Sequence, residues 1–284
     1  MSNKYKASVI VPSTDYSRLK NFLSHLSRQI VKPYEVILVL KGINPNQVIE
    51  RIQSVSKCII IEQTKGYFTS ALNLGKKEVT GDIAIFTDDD ALAPPRWIEK
   101  YVKLHKVYGN KVACISSRDL YLDPKTRKLK PTPDDFLRVK LFRSLIRPWL
   151  EKPHPLLKKY RLGVYLTKSY KVAHGPYIPA KPCYSLPFRG VNMSFKRETL
   201  DIVKFPEDPL LKRAPGNEQY VGLQLILKGY ESMYVPDNPI LHIIRESLSR
   251  TRDEEIKMEL RIMKSLYIKL ISGHVKSNDG VQQP

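Results

Sequence analysis

Cysteine is scarce in this 284-residue chain, with only Cys58, Cys114 and Cys183. They lie far apart, are odd in number and form no C-x-x-C pair, and no His joins them at a zinc-like spacing. A disulfide framework and a structural zinc are therefore excluded as organising features. A reducing, cytoplasmic compartment is the expectation. No apolar run approaches the ~18 residues a membrane-spanning helix requires. Residues 1–6 are polar and lead straight into a strand pattern, so no signal peptide is expected. Acidic residues are also short: 28 Asp plus Glu face 48 Lys plus Arg, a net charge of +20. That balance favours anionic partners such as phosphates, nucleotides, nucleic acid or an acidic membrane surface, and says nothing of fold. Internal repeats and low-complexity segments are absent from the sequence. A hydrophobic content of 42% remains, enough to fill a real core.

The apolar residues are arranged in alternating patterns. A-S-V-I-V at 7–11 reads as a first strand closed by Pro12, with Ser13, Thr14 and Asp15 as capping residues. Leu19, Phe22, Leu23 and Leu26 then recur at helical spacing. E-V-I-L-V-L at 35–40 is a second strand, followed by a helix from Pro45 through 48–55 and a third strand, C-I-I-I-E, at 58–62. Ala71, Leu72, Leu74 and Val79 mark another helix. Strand–helix alternation of this kind predicts an α/β fold with a parallel sheet covered on both faces.

The stretch that organises the chain is G-D-I-A-I-F-T-D-D-D-A at 81–91. Ile83 to Phe86 form a short apolar run, as expected of a strand buried on both faces. It ends in three carboxylates, Asp88, Asp89 and Asp90. In open α/β sheets ligands bind beyond the carboxyl ends of strands, so the cluster lies where a site is expected. Adjacent like charges need a cation or basic groups to neutralise them, and hard oxygen ligands suit Mg²⁺ or Mn²⁺. A solvated acidic turn capping the helix near Pro94–Pro95–Arg96 is the alternative.

Beyond the aspartates, residues 97–107 form an amphipathic helix pattern and 112–116 a strand. From 123 to 187 the alternation fades, while proline and basic residues accumulate. The segment 136–160 mixes large apolar and basic residues around Trp149. It reads as a core-packed helix with a basic face, or as an interfacial helix on anionic lipid. Regular structure returns with a strand at 190–196, a helix at 218–228, and short strands at 234–235 and 240–244. A last helix at 253–272, with Ile256, Leu260, Met263, Tyr267 and Leu270 in register, is a docking or homodimer-forming element.

Taken together, S-V-I-V-P, Y-E-V-I-L-V, A-L-N-L-G-K-K-E-V-T-G-D-I-A-I-F-T-D-D-D-A-L-A-P-P-R-W-I, F-R-G-V-N-M-S-F-K-R-E-T-L and P-G-N-E-Q-Y-V-G-L-Q-L-I-L-K-G-Y resemble a family 2 glycosyltransferase. The resemblance spans about 7–118 and 186–246. It implies the GT-A fold, a Rossmann-like mixed but mainly parallel sheet flanked by helices. The chain would then comprise a nucleotide-sugar-binding half (1–120), an acceptor half with the basic insertion (121–250), and a C-terminal helix and tail (251–284). It implies single-sugar transfer, with inversion, from a nucleoside-diphosphate sugar to a glycan, lipid-linked or protein hydroxyl. Asp88 and Asp90 match the acidic motif that binds a divalent metal, with His242 as a further ligand. The donor set implied comprises Pro12, Ser13, Thr14, Lys41, Asn73, Asp88, Asp89, Gly190, Asn192 and Arg245. Glu218 matches the catalytic base.

Several of these residues have plainer readings from the sequence alone. Asn73 can be a polar residue at a helix junction, Asn192 a core-edge residue, Glu218 a carboxylate favoured at a helix N-terminus, and His242 structural. The chain also departs from the family's pattern. Leu40 and Lys41 stand where an Asp pair often reads the base, Leu72 replaces an Arg, and Asn217–Glu218 replaces an acidic pair. The Q-x-x-R-W motif of processive enzymes is absent. Two alternatives follow: a sugar nucleotidyltransferase, which should carry a Gly-rich basic loop where P-S-T-D-Y-S stands, and a basic nucleic-acid-binding protein. An acidic cluster at the site disfavours nucleic acid. On this reading the protein is cytoplasmic or peripheral on a membrane surface.

Overall fold

The structure, a computed structural model, describes residues 5–52, 57–243 and 254–279. Its first half follows the alternation. Strands β1 (Ala7–Ser13), β2 (Glu35–Leu40), β3 (Lys57–Glu62) and β4 (Ile83–Phe86) are separated by helices α1 (Tyr16–Leu26), α2 (Pro45–Ile52) and α3 (Phe68–Lys77). Then come β5 (Ala91–Leu92), α4 (Trp97–Tyr108), β6 (Val112–Ser116), β7 (Asp119–Leu122) and β8 (Leu129–Lys130). The middle holds α5 (Leu137–Leu141), α6 (Arg147–Leu150), β9 (Val164–Leu166), β10 (Val172–His174) and β11 (Cys183–Tyr184). Strand β12 (Met193–Lys196), α7 (Asn217–Leu227), β13 (Glu231–Tyr234), β14 (Ile240–Ile243) and α8 (Glu254–Asp279) complete it.

Among the described residues the main sheet has eight strands in the order β11-β13-β6-β12-β4-β1-β2-β3. Strands β1 to β4 pair in parallel, whereas β12 runs antiparallel between β4 and β6. Because β12 lies far along the chain, the sheet interleaves strands from both halves of the sequence. Strand β1 is buried on both faces: Val9 and Val11 pack with Leu19 and Phe22, and Ile10 packs with Leu72 and Phe86. That two-sided burial explains its unbroken apolar run.

Pro12 does not close β1 as expected. It pairs with Val39 inside the strand. The Ser13 carbonyl accepts from Lys41, just past β2, and the Ile10 carbonyl accepts from Thr87. Pro12 therefore faces the β4 side, where the ladder has already ended, and its missing N–H costs no bond. Helix α3 lies close over β1, since a Cβ on Gly75 would come within 2.6 Å of Ile10 Cγ2.

A second sheet, β5-β14-β7-β8, begins directly after the aspartates. Strand β14 pairs antiparallel with β5, setting His242 opposite Ala91, and parallel with β7, setting His242 opposite Tyr121. This small sheet assembles the site.

Three expectations change. Residues 190–192 form a tight helical turn, and the strand starts only at Met193. The short strand expected at 234–235 is β13, which also takes in the polar Glu231 and Ser232. The segment 136–160 is not one core-packed helix. Residues 137–150 are continuously helical through α5, a wider π-type stretch at Phe142–Ile146 and α6, but their apolar side chains are exposed, and a separate tight turn follows at Pro155–Tyr160. The helix ends at Leu150, and Pro153 and Pro155 beyond it lack the backbone donors that a continuation would need.

Helix α8 docks on its own chain. Ile256, Met263, Tyr267 and Ile271 are buried, while Leu260 and Ile268 are exposed. Among the described residues no helix is long and apolar enough to cross a membrane.

Candidate active site

The acidic cluster sits where β4 leaves the sheet, and its three members differ. Asp89 is buried and structural in its contacts: Ser13 Oγ donates to its Oδ2 at 2.7 Å, and Arg18 Nε stands 3.5 Å from its Oδ1. This ties the end of β1 to the end of β4. Asp15, rather than Ser13, caps α1 by accepting from the Arg18 N–H.

Asp88 and Asp90 face another direction, toward β14. One ligand atom each from Asp88, Asp90 and His242 lies within 4.8 Å of the others. Octahedral ligands at 2.0–2.1 Å stand about 3 Å apart when adjacent and about 4.2 Å when opposite. Two carboxylate oxygens and an imidazole nitrogen at this spacing fit a hard divalent cation with small adjustment.

His242 is held from both sides. Its Nε2 lies 3.2 Å from Asp90 Oδ1 and its Nδ1 3.0 Å from Asp119 Oδ2. Burial pulls the imidazole pKa down, but the bonds to Asp119 and Asp90 and the charge of Asp88 outweigh it and push it up to about 10. The ring lies between two carboxylates, donating from Nδ1 to Asp119 and with Nε2 in ion-pair range of Asp90. The Nδ1 bond to Asp119 orients the ring, the usual support for a ligating histidine, and a divalent cation would be held at Nε2.

Asp119 extends the chain of contacts. Burial alone would raise its carboxyl; the His242 bond and the Arg189 charge hold it down, to about 2. Arg189 Nε lies 3.3 Å from Asp119 Oδ1, and its Nη2 lies 2.5 Å from Asp134 Oδ2. Asp134 Oδ1 takes a second guanidinium, from Arg143, at 2.5 Å. The order Asp90–His242–Asp119–Arg189–Asp134–Arg143 alternates in sign, which is how partly buried charges are tolerated.

Glu218 occupies the first turn of α7, entered through Gly216 at φ +90°. A side chain is disfavoured there twice over, because a Cβ would also sit 2.8 Å from the Tyr267 hydroxyl. The Gly216 carbonyl accepts from that hydroxyl at 2.6 Å, so α8 fixes the start of α7. Burial raises the Glu218 pKa, while its own backbone N–H, Gln219 and the Arg189 charge pull it back. Gly190 lies alongside, where a Cβ would stand 3.8 Å from the Glu218 carboxyl carbon. The Arg189–Gly190 dipeptide therefore connects the metal-type cluster to the half-buried Glu218 carboxylate.

The family profile described as Glycosyl transferase family 2 matches residues 8–164, more than half of the chain. The chain belongs to glycosyl transferase family 2. No curated protein matches the sequence. Among solved structures it is similar to GalNAc-T7 with UDP, GalNAc and Mn²⁺, at TM-score 0.65 and 13% identity over 93% of this chain. The mannosyltransferase PcManGT from Pyrobaculum calidifontis, with GDP-Man and Mn²⁺, gives TM-score 0.56 and 17% identity over 99% of this chain and 77% of its own. S. aureus TarS 1–349 with UDP-GlcNAc gives TM-score 0.58 and 14% identity over 93% of this chain. This chain covers 48% of the GalNAc-T7 chain and 66% of the TarS chain. These likenesses show the GT-A fold.

Within this family 2 chain the remaining site expectations fall in several places. Lys41 lies away from the aspartates, at a cavity of about 490 Å³ that Lys65, Gly66, Tyr67, Glu207 and Asp208 also line. Its Nζ donates to the Gly66 carbonyl at 2.7 Å and lies over the Tyr67 ring. Asn73 clamps another segment, donating to the Phe205 carbonyl and to Glu207 Oε1 and accepting from the Phe205 N–H. Asn192 is fully buried and used internally. Its Oδ1 accepts from Trp97 Nε1 and the Tyr101 hydroxyl, and its Nδ2 donates to the carbonyls of Arg118 and Asn238. Pro12 and Thr14 remain solvent-accessible beside the β1 end. Arg245 lies outside the described residues.

Asp119, Asp134 and Arg189 were missed from the sequence. Each carried a weak signal: Asp119 follows a strand end, and Arg189 directly precedes the G-V-N motif. Nothing local pairs them, since they lie 15 to 70 residues apart.

Proposed function

We propose that the protein is an inverting, metal-dependent glycosyltransferase that moves one sugar from a nucleoside-diphosphate sugar to an acceptor hydroxyl. The observation that carries this reading is the convergence of Asp88, Asp90 and His242 on one side of Arg189–Gly190 and of Glu218 on the other. Asp88, Asp90 and His242 would hold Mn²⁺ or Mg²⁺, which supplies charge neutralisation for the departing diphosphate. Ser13 and Asp89 hold the β1 end beside that cluster, and Pro12 and Thr14 border the donor there. The cavity at Lys41 adjoins the N-terminus of α3 and is the place for the rest of the donor.

Glu218 accepts the proton of the acceptor hydroxyl as its oxygen attacks the anomeric carbon. The bond from that carbon to the diphosphate oxygen breaks on the opposite face, and its electron pair leaves with the diphosphate. Configuration therefore inverts. Burial makes Glu218 a stronger proton acceptor than an exposed carboxylate, and the Arg189 charge opposes part of that rise. A glycan, a lipid-linked saccharide or a protein are the acceptor classes with a suitable hydroxyl. An anionic membrane surface is the partner that fits the positive charge, and the three free cysteines fit a reducing, cytoplasmic setting.

Titration calorimetry with UDP-, GDP- and dTDP-sugars tests the reading. Binding should require Mn²⁺ or Mg²⁺ and be lost in Asp90→Ala while the fold persists. Equal affinity in EDTA and in Mn²⁺ would refute it.

A further inference from the structure

The segment from α5 to α6 is built inside out. Two of its three arginines turn toward the protein: Arg143 binds Asp134, and Arg147 donates to the His174 carbonyl at 3.0 Å and pairs with Glu151 at 2.7 Å. Its apolar side chains turn to solvent. Trp149 is 81% exposed, Leu150 72%, Leu137 71% and Leu145 65%, and Leu141 and Ile146 are exposed as well. Ordinary helices of water-soluble proteins bury the apolar stripe and expose the charges. Contiguous exposed apolar surface of this kind marks an interaction site.

The charge around the face selects its partner. Between Phe136 and Leu162 the chain carries eight Lys or Arg and a single acid, Glu151, which Arg147 neutralises. Arg138, Lys140, Lys152 and Lys158 are exposed around the apolar residues. A second copy of the chain would bring the same cations face to face. An anionic bilayer offers an apolar interior beneath a layer of negative headgroups, and Trp is a residue that settles at that boundary.

We propose that residues 136–150 form a docking face that lies on an anionic lipid bilayer, with Trp149, Leu145 and Leu150 entering the acyl boundary. The face is tied to the candidate active site, because Arg143 and Arg189 share the two oxygens of Asp134. Docking therefore holds the Arg189–Gly190–Glu218 side against the membrane, where a lipid-linked acceptor presents its hydroxyl. The acceptor part rests on the transfer reading above; the docking part does not.

Flotation with phosphatidylcholine vesicles, with and without phosphatidylglycerol, tests docking in the absence of any donor. The protein should float with the anionic vesicles at low salt and be released at high salt, since exposed charges are screened beyond about 8 Å at physiological ionic strength. Leu145→Glu combined with Trp149→Glu should weaken binding by about tenfold or more and keep the wild-type affinity for nucleotide sugar. Trp97 is buried and Trp149 exposed, so the blue shift of emission on vesicles should vanish in Trp149→Phe while flotation persists. Failure to float at low salt, equal flotation with neutral vesicles, or self-association abolished by the double variant without vesicle binding would each overturn the proposal. Loss of donor affinity in the double variant would also overturn it. A protein that floats but binds no nucleotide sugar would leave docking intact and refute the transfer reading instead.

Discussion

Asn192→Ala separates a structural asparagine from a ligand-binding one. The wild-type side chain accepts from Trp97 Nε1 at 2.9 Å and from the Tyr101 hydroxyl at 2.6 Å, and donates to the carbonyls of Arg118 at 3.1 Å and Asn238 at 2.9 Å. Trp97, Tyr101 and Asn192 are all fully buried. Alanine leaves two donors and the Asn238 carbonyl short of a partner, while the Arg118 carbonyl keeps the Ile240 N–H. Each buried unsatisfied group costs about 1–3 kcal/mol. A water molecule entering the space of the lost amide recovers part of this, because it can make two to four bonds. The net loss should be ~3–5 kcal/mol, a large fraction of the 5–15 kcal/mol that typical domains possess. The melting temperature should fall by on the order of 10 °C. Urea unfolding followed by Trp97 emission in a Trp149→Phe background measures it, because only the buried indole then reports. Donor affinity, measured where the variant is folded, should stay within about threefold of wild type, below the ~1.4 kcal/mol of a tenfold change. A loss of stability under about 1 kcal/mol together with a tenfold weaker donor would refute the reasoning and make Asn192 a donor ligand.

Glu218→Gln keeps the shape and removes the proton acceptor, so single-turnover rates should fall ~10²–10⁴-fold with donor affinity retained. The product should carry the anomeric configuration opposite to the donor's, which NMR of the linkage reads directly. Because the Arg189 charge lowers the Glu218 pKa against the upward push of burial, Arg189→Met should move the acidic limb of the rate profile to higher pH. A limb that stays in place would detach Arg189 from the base. Acid stability should depend on Glu35, which has no exposed surface and accepts from Ser8 Oγ at 2.7 Å and from the N–H and hydroxyl of Thr80, each at 2.6 Å. Burial raises its pKa, yet these bonds hold it below the ordinary 4.5. Its contribution is therefore present above about pH 4.5 and lost as pH falls through the lower folded-state value. Glu35→Gln should be less stable near neutrality and show a flatter loss in acid; parallel profiles would show that Glu35 does not set the acid limb.

By itself the sequence determined the first half of the fold, because β1, β2 and β4 are buried on both faces and its helices on one. Continuous apolar runs and helical spacings are local consequences of that burial, so β2, β4 and β6 were legible residue for residue. The sequence also determined that Asp88 to Asp90 stand at a strand end. Only the tertiary structure decided what each one does. Asp89 faces Ser13 and Arg18, whereas Asp88 and Asp90 face His242, a division made by β14 pairing with β5 some 150 residues away along the chain. The Asp119–Arg189–Asp134 contacts and the sealing of Asn192 likewise arise between segments that share no local pattern, and charge pairing at long range leaves no periodic trace. The inside-out segment was ambiguous for the same reason. Its mixture of apolar and basic residues is identical whether the leucines or the arginines face inward. Asp134 and the His174 carbonyl, placed by the rest of the fold, settled that orientation by drawing the arginines in.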